Sequence, residues 1–203
     1  DLLKYINVLN KLDTIKETDL HIQEVTGEDK TIDVVVEIFN NVNSGGTKLS
    51  KGDLALAKIC SQWSDARSEM KNYLEKLSKA GYYFSLDWLL RCITVNLTGR
   101  PYFSGLDKIS IEDFKTALYS TEDLIGLCLD HIGSRLGLDH DRVLASKAAI
   151  PTMIGYLRLQ PSKKLDNTQW NKLMYWYVHT FLWGRYAGSV ESVLAQDLNV
   201  LAN

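Results

Sequence analysis

Cysteine is scarce in this chain: Cys60, Cys92 and Cys128 are the three among 203 residues, each inside an apolar stretch. An odd count with no close Cys-x-x-Cys pair excludes a disulfide framework and a small zinc site, and reads as reduced core thiols in a cytoplasmic protein. Long apolar runs are missing as well. Nothing approaches the roughly 20 residues that span a bilayer, and no segment resembles a signal peptide, so neither membrane insertion nor secretion is expected. Positive charge has no surplus: Lys and Arg total 23 against 25 Asp and Glu, a net charge of -2. Non-specific duplex binding rests on phosphate neutralisation by a basic face, so the chain alone is not expected to bind DNA. Lys48 with Lys51 and Lys58, and Lys163 with Lys164, form small basic clusters that read as solvated surface.

Histidine is sparse too, and His21, His131, His140 and His179 occur in no His-Glu-x-x-His arrangement, which removes a zinc protease from consideration. Asp139, His140 and Asp141 are adjacent on a presumed turn, where side chains rarely converge on one metal ion. Capping of a following helix is the simpler role for Asp139 or Asp141. No carboxylate pair is placed for general acid and base work. The sequence assigns no catalytic residue and no metal ligand.

What is present is helical periodicity. At 203 residues the chain can bury about 70% of its unfolded surface, enough for one sizeable core or two small ones. Leu3, Ile6, Val8, Leu9 and Leu12 predict a first helix over 2–12. Leu20 to Val25 then alternates apolar and polar residues up to Gly27, the pattern of a strand whose partners must lie outside this chain. Residues 1–32 therefore read as a partial α/β remnant, and 33–203 as a helical domain with a possible subdivision at the 98–109 loop, which holds Gly99, Pro101 and Gly105. The expected fold class is mainly α: a bundle-like set of helices with one or more short strands near the N-terminus.

Punctuation within the helical part is explicit. Trp63 to Leu77 carries Ala66, Met70, Tyr73, Leu74 and Leu77 and closes at Gly81; Ser85 to Leu97 carries Leu86, Leu89, Leu90 and Ile93. Ser110 with Asp113 and Ser120 with Asp123 read as successive capping boxes, splitting a helix over 111–119 from one over 121–136. Pro151 suits the first turn of a helix running to about Gln160, and Pro161 marks its stop. Asp166 with Gln169 starts what reads as the longest and most aromatic helix, with Trp170, Leu173, Met174, Tyr177 and Phe181 on one face. That helix is expected to be central to the bundle. Trp176 and Trp183 fall off its stripe and are candidates for a subunit or domain contact.

The most specific segment runs from Phe39 through Asn43, Ser44, Gly45, Gly46, Thr47, Lys48 and Leu49 to Ser50, followed by Asp53 and Leu54. Val35, Ile38, Phe39 and Val42 before it, and Leu56, Ile59, Cys60 and Trp63 after it, have the spacing of buried helical faces. The two glycines admit positive φ, so the first helix is expected to end near Asn43 or Ser44. Ser50 and Asp53 form a capping box, with Leu49 and Leu54 as a hydrophobic staple. Backbone N–H groups beside Asn43, Ser44, Gly45, Gly46, Thr47 and Lys48 have the makings of an anion nest, the candidate cofactor-binding element, although the spacing is not that of a P-loop.

This stretch resembles one in the prokaryotic family typified by the GmrSD restriction endonucleases, whose members carry an N-terminal ParB-like nucleotidase domain. Trp183-Gly184-Arg185-Tyr186-Ala187-Gly188-Ser189 and the following Glu191 resemble the end of the same domain's helical part. The resemblance covers most of the chain and implies restriction or phage defence, with a nucleoside-triphosphate-dependent sensing domain joined to an HNH-type nuclease. The family's Asp-Gly-Gln-Gln-Arg signature and an HNH cluster are absent from these residues. The resemblance therefore implies a fragment of an α+β ParB-like protein, a helical scaffold that supports a nucleotidase site largely outside this chain and is inactive by itself. It further implies a nucleoside triphosphate with a divalent cation as cofactor of the parent, the missing ParB-like and nuclease parts as partners, and DNA as a target of the parent only. A helical interaction or homodimerisation module without a nucleotide role is the alternative. Arg135 and His140 also reproduce an Arg-x-x-x-x-His spacing that resembles the signature of HEPN-type ribonucleases, but Gly137 and Asp139 between them end the helix that this signature needs.

Overall fold

The computed structural model describes residues 2–17, 38, 50–160 and 165–202. It divides into two units, Asp1–Lys30 and Thr31–Asn203. In the first, α1 (Leu2–Asp13) runs into a 3-10 turn over Thr14–Glu17, where Thr14 Oγ1 donates to the Asn10 and Lys11 carbonyls. Tyr5, Ile6, Val8 and Leu9 of α1 are exposed. The strand predicted over Leu20 to Val25 lies outside the described residues. Of the helix predicted over Val35 to Val42, Ile38 is described; it is helical and exposed.

The second unit is mainly α, as the periodicity requires. Its described helices are α2 (Lys51–Gln62), α3 (Ala66–Lys79), α4 (Leu86–Thr98), α5 (Ile111–Leu136), α6 (Ile150–Arg158), α7 (Asn167–Leu182) and α8 (Val190–Ala202). No strand occurs among the described residues. Two of the predicted capping boxes are present in full. Ser50 Oγ accepts from Asp53 N at 3.0 Å while Asp53 Oδ2 accepts from Ser50 N at 3.2 Å. Asp166 and Gln169 reciprocate in the same way at 2.8 and 2.9 Å. Ser85 and Ser110 each accept an amide hydrogen from the third residue of their helix. Each such cap satisfies donors that the first turn cannot, and removing one costs about 1 kcal/mol. At the other end of α3, Gly81 at φ +91° lets Tyr82 N reach the Leu77 carbonyl and Gly81 N reach that of Ser78, the Schellman pattern.

Four expectations are corrected. The helix read from Trp63 to Leu77 starts only at Ala66: Trp63 is extended (φ -138°, ψ 94°), with its indole edge-on to Phe114, so a tertiary contact pulls the chain out of helix at that point. The predicted break at Ser120 does not occur. Phe114, Ala117, Leu118, Thr121, Leu124, Ile125, Cys128, Leu129 and Ile132 form one unbroken buried stripe. Ser120 Oγ donates to the Ala117 carbonyl and accepts from Asn96 Nδ2 at 2.8 Å, so the hydroxyl is spent on helix and neighbour rather than on a cap. With 26 residues, α5 and not the aromatic α7 is the longest described helix. Finally, Asp141 does not cap a helix; residues 141–143 form a turn, and its carboxylate accepts from Tyr83 N and pairs with Lys147.

The centre of the core is α6. Ile150, Pro151, Thr152, Met153, Ile154, Gly155 and Leu157 are all buried, leaving little of its nine residues in contact with solvent. It packs on α4, α5 and α8, and α4 also packs on α5. A segment apolar all round belongs inside, and the short apolar run from Ile150 to Leu157 meets that condition better than the aromatic α7 does. In α7, Trp170, Leu173, Met174 and Tyr177 are buried as expected, while Tyr175 and Leu182 are exposed. The segment between α4 and α5 is tied in: Gly99 at φ +72° turns the chain, and a 3-10 helix over Phe103–Lys108 inserts Phe103 and Leu106 into the core. Arg158, on the last turn of α6, donates through Nε to the Asn96 carbonyl at 3.0 Å, placing a cation on the carbonyl end of α4. Cys92 and Cys128 are fully enclosed, and burial pushes both thiols up, so they are inert packing groups; Cys60 is half-buried.

Candidate functional site

The residues Asn43, Ser44, Gly45, Gly46, Thr47 and Lys48 lie outside the described residues. The capping box that follows them is described, and fixes Ser50 as the start of α2. Lys163 and Lys164 also fall outside. The predicted segment from Trp183 to Ser189 is described in full, and it forms the most elaborate polar assembly of the second unit.

After α7 ends, Gly184 adopts φ +60°, a left-handed conformation that a side chain would strain. That turn brings Arg185 and Tyr186 over α8. Arg185 clamps the Asp197 carboxylate: Nε donates to Oδ1 and Oδ2 at 3.0 Å each, and Nη2 also donates to Oδ1. Tyr186 donates its phenolic hydrogen to Asp197 Oδ2 at 2.7 Å. With that hydrogen committed, the 3.0 Å contact between Thr152 Oγ1 and the Tyr186 oxygen is a donation from Thr152. One buried carboxylate thus ties together α6, α8 and the turn after α7. Burial raises the Tyr186 phenol well above its ordinary range, and the Asp197 partner raises Arg185 further, so both keep their protons. Asp197 side-chain exposure is 10% and that of Arg185 is 41%, so the pair sits at the boundary between core and solvent.

Beside this assembly, α6, α7 and α8 frame a half-open cavity of about 510 Å³. Trp176, His179 and Thr180 line it from α7, Trp183 from the cap of that helix, Thr152 and Tyr156 from α6, and Val200 and Leu201 from α8. The two tryptophans that fell off the core stripe of α7 therefore belong to one concave surface. Lys172 and Arg185 supply its positive charges, and Asp197 is its one acidic lining residue. His179 Nδ1 contacts the Tyr175 carbonyl at 2.8 Å, which makes Nδ1 the protonated nitrogen and leaves Nε2 as an acceptor in the neutral ring.

Glu191 pairs with Arg91 of α4 at 2.8 Å, and the same guanidinium nitrogen donates to the Pro101 carbonyl. The Arg-x-x-x-x-His residues are put to separate uses. Arg135 donates to His131 Nδ1, Asn171 Oδ1 and Asn167 Oδ1, while His140 Nδ1 accepts from Arg142 N. Asp197 was missed by sequence reasoning, though its signal was available. Leu194, Leu198 and Leu201 surround it at i-3, i+1 and i+4, so a helical reading puts a carboxylate on an apolar face, where it needs a cation. Compared with protein-family models and with curated proteins, the chain matches none.

Proposed function

We propose that this chain is the helical scaffold of a nucleotide-dependent restriction or phage-defence protein of the GmrSD type, inactive by itself and supporting a nucleotidase site built mostly by ParB-like residues outside it. The observation that carries this reading is how the Trp183–Glu191 segment is used. Arg185 and Tyr186 grip Asp197, and Glu191 grips Arg91, so the stretch that bears the resemblance serves architecture rather than chemistry. The Ser50–Asp53 box gives support at the other end, because it starts α2 directly after the segment that bears the first part of the resemblance. In the parent, that turn contributes backbone N–H groups to the phosphates of a nucleoside triphosphate held with a divalent cation. The nuclease part acts on DNA, in the cytoplasm. The test is nucleotide binding by the full-length protein carrying Gly46→Asp or Thr47→Ala. Weakened triphosphate binding with unchanged folding is the expected result; unchanged binding in both folded variants sinks the role of the turn.

A second reading has its own observation. Trp183 is 78% exposed and Val200 76% exposed, beside exposed Tyr175 and Leu182, a concentration of apolar surface suited to a homodimer or domain contact. Sedimentation of the chain with and without Trp183→Ser distinguishes it, since a dimer seated there dissociates in the variant.

A further inference from the structure

We propose that the cavity among α6, α7 and α8 is a binding site for a flat heteroaromatic molecule bearing one anionic group, of mononucleotide size and class. This proposal does not depend on the scaffold reading. Four properties of the cavity lead to it.

The first is size. A volume of about 510 Å³ falls within the roughly 300–1,000 Å³ range of sites that enclose small organic ligands. The second is the wall. Trp176 of α7 and Trp183, the residue that follows α7, line the same concavity, as does Tyr156 of α6. Aromatic faces attract flat π systems, and indole stacking on a base is worth about 1–3 kcal/mol. Trp183 is 78% exposed, a large indole that the fold itself does not enclose.

The third is charge. Asp197 is neutralised by the bidentate grip of Arg185, which leaves Lys172 as the charge at the cavity not matched by another lining residue. The fourth is the hydrogen-bonding edge. With Nδ1 held on the Tyr175 carbonyl, His179 offers Nε2 as an acceptor. Thr180 Oγ1 donates to the Tyr177 carbonyl, so its oxygen likewise has acceptor capacity left. Acceptors on an aromatic wall suit a ring with amino or ring N–H donors, and a cation at the rim suits an attached phosphate or carboxylate. A purely hydrocarbon ligand leaves these groups unused.

The test is titration of the purified chain with the 5′-monophosphates of adenosine, guanosine, cytidine and uridine, read by tryptophan fluorescence and calorimetry, with adenosine and inorganic phosphate as partial ligands. Saturable one-to-one binding of at least one nucleotide is expected. Both partial ligands should bind about tenfold more weakly or worse, because each lacks either the stacking or the ionic contact. Lys172→Glu and Trp183→Ala change exposed residues, so both should fold, as circular dichroism will verify, and each should weaken binding about tenfold or more. Absence of saturable binding by all four nucleotides overturns the proposal. So does equal affinity in both folded variants, which would place any bound nucleotide elsewhere. Neither result bears on the Gly46 and Thr47 test, which measures triphosphate binding by the full-length protein.

Discussion

Tyr186 and Asp197 share a 2.7 Å hydrogen bond in which the phenol donates to a carboxylate already clamped by Arg185. The tyrosine thereby adds a second donor to Oδ2, which Arg185 Nε also reaches, and passes the connection on to Thr152 in the central helix. Removing a member of such a group leaves its partners unpaired, which costs more than the bond contributes when intact.

Asp197→Ala is accordingly expected to destabilise the chain by about 3 kcal/mol, at the lower end for a buried pair because Arg185 remains partly solvated. Tyr186→Phe is expected to cost about 1–2 kcal/mol. The joint replacement Arg185→Met with Asp197→Leu should cost less than the two single changes added together, since it leaves no orphaned charge. Urea unfolding followed by circular dichroism measures the first two variants, the double replacement and its two single components against the parent chain.

Gly155 marks the close approach of α6 to its neighbours. A Cβ added there runs into Leu198 Cδ2 and comes within 3.4 Å of Val95 Cγ1. Gly155→Ala should therefore lower stability by about 1–3 kcal/mol through overpacking, despite the better helix propensity of alanine. A thermal melt showing a gain in stability would contradict this packing.

The continuity of α5 has a direct readout in hydrogen exchange. If Ser120 opened a new helix, the amides of the next three or four residues would have no intrahelical acceptor and would exchange quickly. The single helix predicts that residues 121–124 are protected like the rest of the α5 interior. Ser110→Ala, at the real start, should cost about 1 kcal/mol as the loss of a cap.

His131 stacks on Trp170 at 3.7 Å between ring centroids and accepts from Arg135 through Nδ1, so the ring has to be neutral there. Desolvation lowers its pKa, and the Arg135 charge lowers it further. The unfolded chain consequently takes up the proton first: this contribution to stability is complete above about pH 6.5 and is lost as pH falls toward the depressed folded value. The expected slope is shallow because the ring is partly exposed. Melting temperatures between pH 7.5 and 5.5 should fall less in His131→Gln than in the parent chain.

The caps show why local reading succeeded where it did. Ser50, Ser110 and Asp166 each precede an apolar run that starts after them, and each accepts the hydrogen bond its spacing implies. Ser120 has the same Ser-x-x-Asp spacing, yet the apolar stripe passes through it without a change of phase, and Asn96 takes the hydroxyl. Local chemistry permitted the break; packing decided against it. Burial of α6 was open to sequence reading, because a short run with little polar interruption needs cover on all sides, but the aromatic weight of α7 drew attention away. The cavity was only half visible. Trp176 and Trp183 stood out as candidates for a subunit or domain contact, whereas Asp197 and Arg185 meet through a turn whose direction is set by one positive φ at Gly184. The Asn43–Lys48 segment, which the sequence reading singled out as a turn, lies outside the described residues.

Helix α5 has a mechanical consequence. Its 26 residues make a strut about 39 Å long. Tyr73 of α3 is fastened to it at Glu122, Asn96 of α4 at Ser120 and Thr121, and the start of α7 at Arg135. The first two attachments share one turn of this unhinged rod, and the third sits about 20 Å further along it. A load applied near Leu136 is carried to α4 without an intervening joint, so under pulling force the helices fastened to α5 should give way together rather than one at a time.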